Sequence, residues 1–137
     1  MAKIAVIGGG AAGMMFSTQY KKMNPGDEIF IFEKTLYVAW AGCPTPYYIA
    51  GELGFGSVVL GTPDEFRSRG LNVLVNHEVK KVDFEKKELE ISGSDINGAF
   101  QYDKLILAFG GKSFVPNIKG YKDGLENVFT LSHAVHA

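Results

Sequence analysis

Residues 3–33 constrain this chain more than any other stretch. Lys3-Ile4-Ala5-Val6-Ile7 is a short apolar, β-branched run closed by glycine, which reads as a buried parallel strand. Gly8-Gly9-Gly10-Ala11-Ala12-Gly13 follows and matches G-x-G-x-x-G, with Gly8, Gly10 and Gly13 in the defined places. A helix is predicted over Ala11–Met23. The turn Asn24-Pro25-Gly26-Asp27 then leads into a second strand that ends in Glu33. Each motif glycine has a physical task. Gly8 permits the tight turn, Gly10 lets a pyrophosphate approach the backbone, and Gly13 lets the helix pack closely on the strand. The free amides and dipole at the helix start then favour phosphate. Glu33 stands where a ribose-binding acid is expected. Glycine turns alone are common, but strand, helix, strand and acid in register point to dinucleotide binding.

At 137 residues the chain is expected to form one domain with a real core. A net charge of −1 argues against nucleic acid or an anionic membrane as partner. No apolar run approaches the roughly twenty residues of a membrane span. The N-terminus enters a strand at once, without signal-peptide features, so a cytoplasmic location is expected. Cys43 is the single cysteine, which excludes an internal disulfide framework and suits a reducing compartment. There is no internal repeat and no low-complexity segment.

Residues 34–42 read as a loop carrying Tyr37 and Trp40. Cys43-Pro44-Thr45-Pro46 leads into a short helix at Tyr47-Tyr48-Ile49-Ala50, with Thr45 as cap and Pro46 as first helical residue. Residues 51–61 are glycine-rich and loop-like. Thr62-Pro63-Asp64-Glu65 is a capping box that opens a helix to Arg69, and Gly70 stops it. A strand is predicted at 71–75, a three-stranded meander at 79–84, 88–91 and 99–102, and a buried strand at 105–108. Gly110-Gly111 follows that strand, and 128–131 reads as a last short strand.

Taken in order, these motifs resemble one family. The sequence G-x-G-x-x-G, acid after the second strand, single cysteine before P-Y-Y-I, T-P-x-x-F, H-E-V and D-K-L-I-L-A is similar to the flavoprotein disulfide reductases. Within them it resembles the single-cysteine branch of coenzyme A disulfide reductases, NADH oxidases and peroxidases, and persulfide reductases. The resemblance implies an α/β fold: a Rossmann-like FAD-binding domain with a parallel sheet, a helix layer and a three-stranded β-meander on the other side. It implies FAD as the dinucleotide, with NADH as reductant. Gly8, Gly10, Ala11, Ala12 and Gly13 would cradle the pyrophosphate. Glu33, with Lys34 beside it, would take the adenosine ribose. Val79 would meet the adenine through its backbone, and Ala108 and Gly110 would sit near the cofactor. Three departures stand out. Phe109 replaces the usual threonine of the second flavin motif. Ala39 and Gly42 replace a serine and an asparagine of the coenzyme A disulfide reductases. The family continues into NADH-binding and dimerisation domains, so residues 1–137 correspond to part of the FAD domain of a homodimeric enzyme.

The chemistry expected at Cys43 follows from this placement. A helix start just behind a thiol favours the nucleophilic thiolate through its dipole and free amides. With one cysteine, the oxidised partner must be a small-molecule thiol such as coenzyme A, or an oxygen in a sulfenic acid. Substrates would be disulfides, persulfides or peroxides. The plain alternative is a small buried hydrophobe. Gln19 and Lys22 match family positions that face coenzyme A, or else they form a solvated helix face. Trp40, Tyr47 and Tyr48 wall the flavin or simply pack. His77 caps or packs, and Met14 and Met15 read as core. His133 and His136 have helical spacing without an acid partner, so no metal site is predicted. A non-catalytic remnant, a truncated piece without turnover, and a module using NAD in place of FAD remain as alternatives.

Overall fold

A computed structural model describes residues 1–122 and 124–131. β1 (Lys3–Ile7), α1 (Ala11–Met23) and β2 (Glu28–Glu33) open the chain. Then come α2 (Thr45–Ile49), a 3-10 turn over Phe55–Ser57, α3 (Pro63–Ser68) and β3 (Asn72–Val75). β4 (Glu78–Asp83), β5 (Glu88–Ser92), β6 (Gly98–Gln101) and β7 (Lys104–Leu107) complete the order. The parallel sheet runs β3-β2-β1-β7, and β4-β5-β6 form the separate antiparallel meander. β7 joins by pairing Ile4 with Lys104 and Ala5 with Leu105, and Leu107 at its end is 52% exposed.

Strand alternation divides the core in two. Ile4 and Val6 of β1, with Ile29 and Ile31 of β2, pack with Met14, Phe66 and Leu71 on the helix side. Ala5 and Phe32, with Ile7 and Phe30 beside them, point the other way and meet Leu89, Ile91 and Tyr102 beneath the meander. A two-residue period therefore makes both faces apolar, as a sheet covered on both sides requires. Phe100 of β6 joins the two sheets, its ring 4.9 Å from Phe30 and 5.0 Å from Phe32 in edge geometry. Each fully buried Ile or Phe stabilises this arrangement by about 1.5–3 kcal/mol relative to exposure.

Local signals act as expected at α3. Thr62 Oγ1 accepts the Glu65 amide at 3.3 Å, while Glu65 Oε2 accepts the Thr62 amide at 2.7 Å. Gly70 ends the segment at φ +81°. Other expectations need correction. Met15 is 63% exposed, because it lies about 100° around α1 from the buried Met14, off the face that meets the sheet. Val128, Phe129 and Leu131 form no strand and are exposed. α2 begins at Thr45 with Pro44 as cap, one residue before the position the proline rule gives. Burial explains this: Thr45 is 1% exposed and its hydroxyl donates to the Ala41 carbonyl at 3.2 Å.

Asp27 fastens the turn between α1 and β2. Its Oδ1 accepts the Ala2 amide at 2.7 Å and its Oδ2 accepts the Tyr20 hydroxyl at 2.9 Å. The Ala2 amide, then the Tyr20 hydroxyl, hold its carboxyl below the usual value against a smaller desolvation effect. A carboxyl lowered in the folded state adds stability above its unfolded value, about 3.9, and loses it as pH falls through the folded value. Asp27→Asn is therefore expected to melt earlier than the parent at neutral pH, with the gap closing below about pH 4. Melting curves followed by circular dichroism check this, and a gap independent of pH contradicts it.

Candidate functional site

The glycine loop lies where β1 hands over to α1. Gly8 has φ +103°, and its amide donates to the Phe32 carbonyl at 2.9 Å. A Cβ there would lie 2.4 Å from the Ala108 carbonyl oxygen, so the end of β7 shuts out any side chain. A Cβ on Gly13 would lie 2.0 Å from the Gly8 carbonyl oxygen, which is the close helix–strand contact expected of it. Gly10 differs. Its φ of −71° and ψ of −170° suit any residue, and a Cβ would have nothing within 4 Å. Neither conformation nor packing within this chain calls for glycine there. Beyond it α1 starts without a side-chain cap and without an acid in its first turn. The amides of Ala11, Ala12 and Gly13 are those an anion would use. Open space above Gly10 beside an uncapped helix start fits the pyrophosphate of a dinucleotide.

Gly9, outside the motif, is also sterically required. A Cβ would meet Val38 Cγ1 at 2.8 Å and Glu33 Cβ at 3.0 Å. Its amide donates to Glu33 Oε2 at 2.9 Å, and Glu33 Oε1 accepts both the amide and the hydroxyl of Thr35 at 2.8 Å. Glu33 is 4% exposed, so the chain itself orients this carboxylate against the glycine loop. The Glu33 carbonyl accepts the His77 amide at 2.9 Å, which brings β4 and Val79 to the end of β2. Lys34 is exposed beside Glu78. At the end of β7 the Ala108 amide donates to the Ile7 carbonyl at 2.8 Å, and Gly110 has φ +70°. The Phe109 ring is 67% exposed, turned largely to solvent.

The Cys43 segment is tied to the same loop. Ala39 is buried at φ +54°, its amide donating to the Gly9 carbonyl at 2.8 Å and its carbonyl accepting the Leu60 amide at 3.2 Å. Holding a non-glycine residue there costs about 1–2 kcal/mol. Alanine is no turn signal, so nothing local in the sequence reveals this bridge. Cys43 is exposed, in the turn just before α2. The free amides expected behind it are absent. The Thr45 amide donates to the Gly42 carbonyl at 3.2 Å, Pro46 has none, and the Tyr47 amide donates to the Pro44 carbonyl at 3.1 Å. Tyr48 packs on Phe55 at 5.8 Å and Phe55 on Tyr37 at 5.4 Å, so these rings support one another. Trp40 forms an isolated bridge with Val59.

Gln19 and Lys22 are both exposed on α1, one turn apart. Among the described residues no three His, Cys, Asp or Glu side chains gather as metal ligands, and no helix is long and apolar enough to cross a membrane. His133 and His136 lie outside the described residues.

A parallel sheet with a glycine turn leading into an uncapped helix defines the Rossmann-like class of nucleotide-binding folds. More narrowly, the profile of the pyridine nucleotide-disulphide oxidoreductases matches residues 2–137, and the chain belongs to that family. It is 34% identical over 129 residues to an NADH oxidase of Methanocaldococcus jannaschii, covering 92% of this chain and 28% of the relative. Over another 129 residues it is 33% identical to an NAD(P)H coenzyme A polysulfide/persulfide reductase of Pyrococcus horikoshii, covering 93% and 28%. Among solved structures, an NAD-dependent persulfide reductase from A. fulgidus superposes with a TM-score of 0.87 at 26% identity, covering 98% of this chain and 25% of that one. The chain thus spans little more than a quarter of these relatives.

Proposed function

We propose that this chain is the FAD-binding portion of an NADH-dependent oxidoreductase that reduces a disulfide, persulfide or peroxide through Cys43. The observation that carries the reading is Gly10, a glycine with no reason inside the chain, at the mouth of an uncapped helix. Gly8, Gly10, Ala11, Ala12 and Gly13 hold the pyrophosphate, Glu33 and Lys34 the ribose end, and Val79 the adenine. Ala108 and Gly110 line the cofactor from the end of β7. When bound, FAD supplies the two-electron relay between NADH and sulfur.

Cys43 does the substrate chemistry as a thiolate. It attacks one sulfur of a disulfide, the S–S bond breaks, and the second sulfur leaves as a thiolate. With a peroxide the thiolate attacks one oxygen, the O–O bond breaks, the second oxygen leaves as hydroxide or alkoxide and takes up a proton, and the sulfur is left as a sulfenic acid. Exposure of Cys43 gives a small substrate access to it. Gln19 and Lys22 are the side chains proposed to meet a coenzyme A-like thiol. The full enzyme acts as a homodimer in the reducing cytoplasm.

A second reading, a nucleotide-holding piece without turnover, is favoured by the single G-x-G-x-x-G in the sequence. Titration of the purified chain with FAD, followed by flavin absorbance and fluorescence, tests both. Saturable binding of one FAD, with no steady NADH oxidation once free flavin is removed, is the expected result. No binding overturns the FAD assignment, and sustained oxidation overturns the placement of the NADH site outside residues 1–137.

A further inference from the structure

We propose that His77 is a proton-operated latch: as a neutral imidazole with its proton on Nδ1 it holds the turn between β5 and β6, and a second proton at Nε2 releases that turn. The hydrogen-bond partners alone fix the tautomer. Nδ1 lies 2.7 Å from the Val75 carbonyl oxygen, which can only accept, so Nδ1 donates. Nε2 lies 3.2 Å from the Asp95 amide and 3.1 Å from the Ile96 amide, which can only donate, so Nε2 accepts both. The ring is 1% exposed. Gly93 closes over it so tightly that a Cβ there would lie 2.2 Å from His77 Cδ2.

A proton at Nε2 would turn two hydrogen bonds into two N–H groups facing a third. Three acidic groups border the latch. On β2, the Glu33 carboxylate turns to Gly9 and Thr35. On β4, Glu78 pairs with the Lys80 ammonium, which holds its carboxyl below the usual value. On the turn, the Asp95 carboxylate meets the Ser94 hydroxyl at 3.3 Å. The turn also carries Ile96 onto the apolar layer with Leu89 and Ile91, so release of the latch loosens the meander.

The test is amide hydrogen exchange of Asp95 and Ile96, corrected for intrinsic rates, followed as the pH is lowered from about 8 to about 5. Protection at both amides is expected to fall about tenfold or more on acidification in the parent. It should stay level in His77→Gln, whose carbonyl can accept the same amides without titrating. A long-range proton–nitrogen spectrum of the parent reads the tautomer directly and does not depend on the variant folding. Protection that is flat with pH in the parent, a pH-dependent loss that persists in His77→Gln, or a ring protonated on Nε2 at neutral pH would each overturn the latch.

Discussion

Gly13→Ala is expected to lose about 3 kcal/mol or more of folding free energy, the upper end of what overpacking costs. The direction is the informative part. On an exposed helix surface the same exchange would stabilise the chain by about 0.5–1 kcal/mol, because alanine is the better helix former. Here the new methyl would lie 2.0 Å from the Gly8 carbonyl oxygen and 3.3 Å from Val6 Cγ1. The first of these obstacles is backbone and cannot rotate aside. α1 must lift from β1, or the Gly8 turn must move away from the end of β7, which it touches through Ala108. Either shift disturbs the core layer of Ile4, Val6 and Met14. Against a typical total of about 5–15 kcal/mol the loss is large, and it should appear as a fall in the urea midpoint with little change in slope. A midpoint unchanged or raised would show that α1 is not seated on Gly8.

Gly10→Val should do the opposite. Its backbone is extended, nothing lies within 4 Å of the new Cβ, and stability should change by no more than about 0.5 kcal/mol. FAD retention should nevertheless vanish, because the isopropyl group fills the space a pyrophosphate needs for its approach to the first amides of α1. The two outcomes separate cleanly. Retained flavin in a folded variant contradicts the cofactor assignment, whereas an unfolded variant contradicts the geometry of the loop. Flavin absorbance of the purified variant beside its far-ultraviolet circular dichroism reads both.

The difference between these two glycines also measures how much the sequence discloses. The G-x-G-x-x-G spacing carries Gly8, Gly10 and Gly13 together, and the strand, helix and acid around them were legible because each depends on neighbours a few residues away. The capping box at Thr62 and the meander were legible for the same reason. Contacts set by the fold were not. Gly9 is needed because Val38 and Glu33 close over it, and Ala39 bends because it bridges Gly9 to Leu60. Both constraints come from residues far along the chain. Met15 could not be told from Met14 until the buried face of α1 was known. α2 starts early because Thr45 is buried, a tertiary demand that overrides the local bias of the residue before a proline. That early start uses up the amides expected behind Cys43, so the sequence located the sulfur but not its surroundings.

The place of β1 in the sheet has a consequence in time. Its two neighbours lie at very different distances along the chain: β2 follows within one helix, whereas β7 reaches it across a separation of 100 residues, marked by the Lys3 amide donating to Asp103 Oδ2 at 2.6 Å. On a growing polypeptide the β1-α1-β2 unit can gather early through short-range contacts. The other flank of β1 must wait until residue 107 has emerged. Contacts of such long range slow folding. Until then β1 presents an unpaired strand edge, the state in which a nascent chain is most prone to wrong partners.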